Sequence, residues 1–170
     1  MFCLTPYTVN NSASADVELK KLTDGVKGVV TGDGGYDYWV NFPRVAESSS
    51  DPAYKDTEII IDLEDEVSFQ QIETNFLHHA GAGIVYPEWI KVEYSSDKAT
   101  WNLFGEQDVP SYSGEPNIFN CQVSGSKVTA RYVKVTMPAL HWVFVDEIKV
   151  LKDSTSIEEG EAEQDNYDKN

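Results

Sequence analysis

The sequence predicts an all-β domain built as a sandwich or a barrel. Apolar and polar side chains alternate in short stretches, most clearly in Ile90-Lys91-Val92-Glu93-Tyr94, and such alternation is typical of a half-buried strand. Turn-forming residues recur at intervals of about ten positions. The best helical stripe, Ala15–Leu22, extends for only about two turns. Many short strands separated by turns indicate a sandwich or a barrel.

The pattern locates several of these strands. They are predicted at residues 57–63, 67–77, 90–94, 101–103, 132–137 and 143–151. The acidic run Glu64-Asp65-Glu66 is predicted to be a turn after the first strand, and residues 95–100 are predicted to be a hairpin connection. Pro138 lacks a backbone donor and should end the strand before it.

Charge divides the chain into two parts. The formal net charge is −16, which makes nucleic acid and anionic membrane surfaces unfavourable partners and leaves many carboxylates for hard cations such as calcium. The last residues, DSTSIEEGEAEQDNYDKN, are strongly acidic and contain a single large aliphatic residue, Ile157. We therefore expect one domain over residues 1–152 and a disordered acidic tail or linker over 153–170.

The residues themselves give little information about the cellular compartment of the protein. No run of about 18 apolar residues is present, so no membrane span is predicted. The start, Met1–Leu4, has neither the apolar core nor the basic flank of a signal peptide; an exported form would have lost its leader or would begin partway through a longer chain. Cys3 and Cys121 could form one disulfide, and two thiols do not decide the redox environment.

The sequence favours binding over catalysis. It contains no Gly-x-Ser-x-Gly, no cysteine with a partner histidine and orienting acid, and no phosphate-binding Gly-x-x-x-x-Gly-Lys. Carboxylates are abundant, but they lie mostly in turns and in the tail, whereas a glycosidase needs two of them about 5–10 Å apart in a cleft. We expect no enzymatic activity from this chain alone.

A series of short segments, in order, resembles galactose-binding-like domains of the discoidin and coagulation factor C type, including related carbohydrate-binding modules. The resemblance extends from about residue 6 to 151 and rests on Leu22-Thr23-Asp24-Gly25, Trp39–Phe42, Ile60–Leu63, Val92–Trp101, Ala130–Val135 and Trp142–Val150. One departure is Lys98, where the family usually has a turn glycine. The resemblance implies a jelly-roll β-sandwich of about eight antiparallel strands, commonly with one structural calcium ion and with a ligand site in loops at one end.

By this resemblance the calcium ligands would be Asp24 and Glu147, with a weaker correspondence for Asp37. The glycine- and aspartate-rich segments around Asp24 and Asp37 suit a cation that takes six to eight oxygens. Strand parity predicts that Asp146 and Glu147 point to opposite faces, so that only one joins the site. The alternative is that Asp24-Gly25 is an ordinary turn and Glu147 a solvated strand residue.

The candidate ligand-binding residues are His78, His79, Tyr36 and Trp142. Sugars stack on aromatic rings and are hydrogen-bonded by planar polar side chains, and the equivalent loop of sugar-binding relatives often offers Arg, His or Asn. Adjacent histidines are, however, commonly surface residues, and parity would send only one inward. Trp142 could be a core residue or a sugar platform, whereas Trp39, Trp89 and Trp101 are expected in the core.

The functional hypothesis is a non-catalytic carbohydrate-binding module of a secreted or cell-surface bacterial protein, covalently linked to neighbouring modules and raising local substrate concentration. Its partner would be a carbohydrate or glycoconjugate. Two alternatives are a protein-binding adhesion domain and a structural spacer of a surface protein.

Overall fold

The computed structural model describes residues 6–10, 20–30, 38–44 and 55–152, and within them seven strands form one antiparallel sheet. The strands are β1 Tyr7–Val9, β2 Val40–Phe42, β3 Thr57–His78, β4 Trp89–Ser95, β5 Asn102–Asp108, β6 Asn117–Met137 and β7 Val143–Lys152. Two short 3-10 turns are found at Lys21–Thr23 and Ala80–Ala82. No helix in these ranges has the length and apolarity needed to cross a membrane.

Two long strands carry the sheet from one layer of a sandwich into the other. The first part of β3, from Thr57 to Asp62, pairs with the end of β6, and its last part, from Gln71 to His78, pairs with the start of β6. β1 and β4 extend the first layer, with β5 at its edge. β7 and then β2 extend the second layer. The predicted antiparallel β-sandwich is therefore confirmed.

The core lies between the layers and consists of the inward residues of each strand. Ile59, Ile61 and Phe69 of β3 are fully or almost fully buried, as strand alternation requires. Phe76 is also fully buried, because the register irregularity between Phe69 and Gln71 moves the inward positions by one residue. β5 crosses closely over β6. A Cβ atom on Gly125 would lie 2.7 Å from the carbonyl oxygen of Phe104, so only glycine permits this approach.

The acidic run Glu64-Asp65-Glu66 is not a turn, and that prediction was wrong. The run is an irregularity within β3, where pairing with β6 stops after Asp62 and resumes at Val67. Glu64 has a φ of 70° and donates its N–H to Asp62 at 2.8 Å, while Arg131 binds the same carboxylate through two hydrogen bonds of 2.8 and 3.0 Å. The bulge bends the strand without ending it.

Of the predictions for the hairpin and the tryptophans, some are confirmed and others are wrong. The hairpin at residues 95–100 is confirmed, and Lys98 occupies the left-handed region with a φ of 62°. Trp39 is fully buried as expected, but Trp89 and Trp101 are only half-buried, and the Lys134 ammonium lies 4.4 Å from the Trp101 ring centroid.

Several predictions fall wholly or partly on residues that the structure does not describe. The acidic tail, Cys3, Tyr36, Asp37 and most of Ala15–Leu22 lie outside the described ranges. Cys121, the possible partner of Cys3, is buried in the core, and burial raises the pKa of its thiol to about 11.

Candidate ligand and calcium sites

One end of the sandwich is shaped by a tight loop after β3. His79 and Ile84 exchange main-chain hydrogen bonds of 2.9 and 3.2 Å around the 3-10 turn Ala80–Ala82, and Gly83 closes the turn with a φ of 73°. The N–H of Val85 then donates to the carbonyl oxygen of Trp142 at 3.1 Å. The loop is thereby fixed beside the residues that lead into β7.

An exposed tryptophan lies on one side of the junction between this loop and the residues that lead into β7. Trp142 is 42% exposed and borders a shallow depression of about 160 Å³, which we call the tryptophan patch; its residues are Asn41, Ala82, Ile84, Trp142 and Phe144. Ile84 and Phe144 also belong to a small buried cluster with Trp39 and Leu77. The patch is thus the outer surface of a packed apolar cluster.

A larger cleft lies on the other side of the same junction. It has a volume of about 440 Å³, within the range of ligand pockets. We call it the aromatic cleft; its residues are His78, Val85, Tyr86, Pro87, Glu88, Val109, Pro110, Ser111, Tyr112, Pro138, Leu140, His141 and Val143.

Three rings in the cleft contact one another. The ring centroids of His78 and Tyr112 are 4.8 Å apart in an edge-on arrangement. Tyr86 lies 5.5 Å from His78 and 5.9 Å from Tyr112, and its hydroxyl accepts a hydrogen bond of 3.2 Å from Asn117. These are the separations at which aromatic rings attract. The aromatic wall is therefore held in place before any ligand arrives.

Tyr112 is both exposed and fixed. Its ring is 39% exposed, and its hydroxyl donates to the carbonyl oxygen of Glu115 at 3.0 Å. A Cβ atom on Gly114 would lie 2.8 Å from that hydroxyl, so the absence of a side chain at Gly114 leaves room for the ring.

The four predicted ligand-binding residues do not form one site. His78 is buried and lines the aromatic cleft, whereas Trp142 belongs to the tryptophan patch. His79 is half-buried and lines neither surface, which agrees with the expectation that only one histidine points inward. Tyr36 lies outside the described residues. The division arises because His141 and Trp142, as successive residues, face opposite sides of the junction.

The cleft also contains residues that were not chosen from the sequence, namely Tyr86, Tyr112 and His141. They come from three different connections, between β3 and β4, β5 and β6, and β6 and β7. The only sequence signal for these residues is an aromatic side chain in each of several loops. Which of those loops lie side by side can be known only from the sheet topology.

The segment that contains Asp24 is tied to β7 by two buried carboxylates. Glu147 accepts a hydrogen bond from the N–H of Gly25 at 2.9 Å. Asp146 accepts one from the N–H of Gly28 at 2.7 Å and another from the Asn75 amide at 2.9 Å. The prediction that Asp146 and Glu147 point to opposite faces was therefore wrong, because both contact the same segment.

The reason is a bulge in β7. Thr74 pairs with Ile148 and Phe76 with Val145, so Asn75 alone faces both Asp146 and Glu147. A bulge of this kind re-aims side chains that regular alternation would send to opposite faces.

Glu147 is in an unusual electrostatic position. It is 1% exposed, and its Oε1 atom has no hydrogen-bond partner among the described residues. Burial, the largest cause, raises the pKa of its carboxyl to about 8, and the nearby charges of Asp24 and Asp146 act in the same direction. The Gly25 hydrogen bond and the charge of Lys149 oppose the shift without cancelling it. A buried carboxylate with a free oxygen and a second carboxylate nearby is a suitable partner for a cation.

The described residues do not by themselves form a metal site. Asp24 and Glu147 are near each other, as the resemblance implied, but no group of three Asp, Glu, His or Cys side chains in the described ranges could hold a metal ion. Asp37, the third residue implied by the resemblance, lies outside the described part of the chain. Gly25, with a φ of 82°, gives this segment the sharp turn that such loops use.

A family match identifies the domain. The model of the F5/8 type C domain matches residues 8–148. The chain belongs to the F5/8 type C domain family. No curated protein matches the chain.

Solved structures of other proteins show the same fold. The chain is similar to chitosan-binding module 1 of a chitosanase/glucanase from Paenibacillus sp. IK-5, with 15% identity, a TM-score of 0.55 and coverage of 88% of this chain and 96% of that one. It is also similar to the Clostridium perfringens module CpGH89CBM32-5 in complex with GalNAc-β-1,3-galactose, with 12% identity, a TM-score of 0.57 and coverage of 86% and 94%. These likenesses confirm the galactose-binding-like β-sandwich.

A third similar structure is a larger enzyme. It is a Ruminococcus gnavus GH29 fucosidase in complex with fucose, with 21% identity and a TM-score of 0.54. The match covers 89% of this chain but only 26% of the fucosidase chain.

Proposed function

We propose that this F5/8 type C domain is a non-catalytic carbohydrate-binding module and that a sugar ring stacks on Trp142. The exposed indole of Trp142 is the observation that carries the proposal. The indole offers a large apolar face on which a sugar ring can stack, and it lies on a loop end whose main chain is fixed by hydrogen bonds. Asn41 lines the same patch.

The similar solved structures support this reading. Two of them are a chitosan-binding module and a module in complex with a disaccharide. We further propose a secreted or cell-surface location and covalent attachment to other modules, as in the fucosidase that contains a similar domain within a much longer chain.

Calcium belongs to the same proposal as a structural ion. Asp24 and Glu147 would hold it together with main-chain carbonyls, and it would attach residues 20–30 to β7. The Oε1 atom of Glu147, which has no hydrogen-bond partner within residues 6–10, 20–30, 38–44 and 55–152, and the nearby Asp24 carboxylate support this assignment. Hard cations prefer carboxylate and carbonyl oxygens, so the ion would supply attraction where the buried Glu147 and the half-buried Asp24 would otherwise repel each other.

A glycan array followed by calorimetric titration tests sugar binding. The wild-type domain should bind at least one glycan, and Trp142→Ala should weaken that binding at least tenfold, which corresponds to about 1.4 kcal/mol. Leu103→Ala is the matched control, since Leu103 is 60% exposed and lines neither surface. Silence across the array, together with capture of a surface protein that Trp142→Ala abolishes, would replace this proposal with the protein-binding alternative.

A further inference from the structure

The aromatic cleft and the tryptophan patch lie on opposite faces of a short ribbon made of residues 84–85 and 141–144. Along both segments of the ribbon the residues alternate. Val85 and His141 line the cleft, whereas Ile84 and Trp142 line the patch. Side chains that alternate along an extended chain point to opposite sides, so the cleft is a surface separate from the patch.

The wall of the cleft is aromatic and is ordered in advance of binding. The ring centroids of His78 and Tyr112 are 4.8 Å apart, and Tyr86 contacts both rings. Tyr112 is 39% exposed, yet its hydroxyl is fixed by the hydrogen bond to Glu115. A ring that is already fixed loses little entropy when a ligand contacts it. Because aromatic faces carry negative electrostatic potential, such a wall attracts cations.

The polar groups of the cleft favour the same kind of ligand. Glu88 contributes an exposed carboxylate to the lining, and none of the described lysines and arginines lines the cleft. His78 is 3% exposed, and its Nδ1 atom has no hydrogen-bond partner in the described part of the chain, so the wall contains a polar side chain that its neighbours leave unsatisfied. The net charge of −16 attracts cations to the protein and repels anions.

We propose that the aromatic cleft binds an organic ammonium group, which contacts the Tyr86 and Tyr112 rings while the Glu88 carboxylate balances its charge. The volume of about 440 Å³ accommodates the cation together with a short aliphatic chain. The ligand class therefore comprises primary and quaternary alkylamines. This activity goes beyond sugar binding at Trp142 and does not depend on it, because the two surfaces face opposite sides of the ribbon.

NMR titration of the intact domain with matched charged and neutral probes tests the site. The probes are choline with its neutral isostere 3,3-dimethyl-1-butanol, and n-butylammonium with 1-butanol. The buffer contains about 0.15 M NaCl, which screens nonspecific attraction to the acidic surface. In at least one pair the cation should bind at least tenfold more tightly than the neutral molecule. Equal affinities within both pairs, or no binding of either cation, would overturn the proposal.

Two variants locate the bound cation. Glu88→Gln removes the carboxylate and Tyr112→Leu removes the ring, and each should weaken binding of the preferred cation at least threefold without a change in melting temperature. The matched control, Glu66→Gln, removes an exposed carboxylate from the bulge of β3 and should bind as the wild type does. Wild-type affinity in Glu88→Gln, or in a normally folded Tyr112→Leu, would contradict the assignment. Because Glu88 is exposed, its variant stays informative even if Tyr112→Leu is unstable.

Histidine resonances distinguish the cleft from the rest of the acidic surface. His78 and His141 line the cleft and His79 does not, so the ring signals of the first two should shift with the cation while His79 serves as the internal control. A shift confined to His79 would place the cation elsewhere. Glu88→Gln should keep its affinity for any glycan that binds at Trp142, and a joint loss would mean that the two surfaces are not separate. A domain that binds no glycan but binds the cation would contradict only the proposed function.

Discussion

Replacing Glu147 with glutamine should make the domain more stable in chelator and insensitive to calcium. Glutamine is nearly isosteric and can still accept the hydrogen bond from Gly25, but it cannot ionise. In the wild type, the folded carboxyl has a pKa raised from 4.5 to about 8, mainly by burial. Its ionisation inside the fold is therefore costly, and a cation would remove that cost.

The sign and size follow from proton linkage. Between pH 4.5 and about 8 the folded protein keeps a proton on Glu147 that the unfolded chain has lost, so the free energy of unfolding falls as pH rises through this window. Each pH unit in this window lowers the free energy of unfolding by about 1.4 kcal/mol. The total loss by pH 8 is therefore on the order of 5 kcal/mol. Calcium at 100 times its Kd should restore about 2.7 kcal/mol, or roughly 5–10 °C of melting temperature.

Urea unfolding from pH 4.5 to 8.5, with EDTA or with calcium, measures these effects. In EDTA the wild type should lose stability with pH, whereas Glu147→Gln should show a weaker slope. Calcium should stabilise the wild type at pH 8 but not the variant. Glu106→Gln, which removes an exposed carboxylate of β5, should behave as wild type.

Two results would refute this reasoning. A wild-type stability that does not decline between pH 5 and 8 in EDTA would show that Glu147 is not desolvated as described. An equal response of wild type and Glu147→Gln to calcium would place the ion elsewhere, and a bound water would then be the simpler partner for Oε1.

Two further predictions concern backbone strain and thiol reactivity. Lys98→Gly should raise the free energy of unfolding by about 0.5–1 kcal/mol, because Lys98 has a φ of 62° that glycine adopts without a steric penalty. Urea titration measures this gain. The control, Ala99→Gly in the same turn, should be neutral or destabilising. A destabilised Lys98→Gly would mean that side-chain contacts of Lys98 outweigh the strain. Under reducing conditions Cys121 should resist alkylation at pH 8 and react once the chain is unfolded in urea, because burial raises the pKa of its thiol to about 11. Mass analysis of the peptide that contains Cys121 measures labelling at this thiol alone. Fast labelling of the native protein would contradict the burial of Cys121 in the core.

Sequence alternation located the strands whose two faces differ most in environment. β4, predicted at residues 90–94, is Trp89–Ser95, and β7, predicted at 143–151, is Val143–Lys152. The first part of β6 was missed, since residues 117–131 include Asn, Gln, Ser, Gly and Lys on the outer face of the sheet. Its strand character depends on pairing with β3, which is a long-range contact with no local signal.

Bulges explain the errors that mattered for the candidate sites. Acidic residues 64–66 look like a turn because no apolar residue interrupts them, yet the bidentate contact between Arg131 and Asp62 keeps the two long strands paired on either side. At Asp146 and Glu147 the extra residue in β7 invalidated a parity argument that holds for regular strands. The alternation pattern of a single sequence assumes a regular two-residue repeat, so it cannot reveal a strand that contains one inserted residue.

β7 and the residues just before it connect the two proposed sites. Trp142 precedes β7 and lines the tryptophan patch, while Glu147, five residues further, contacts the Asp24 segment through Gly25. At about 3.3 Å per residue, roughly 16 Å separates Trp142 from Glu147. A calcium ion at Glu147 would therefore not touch a sugar on Trp142, and any effect of the proposed ion on sugar binding would pass through the packing of β7 against β2 and β3. This distance favours a structural role for the ion over a place in the ligand site.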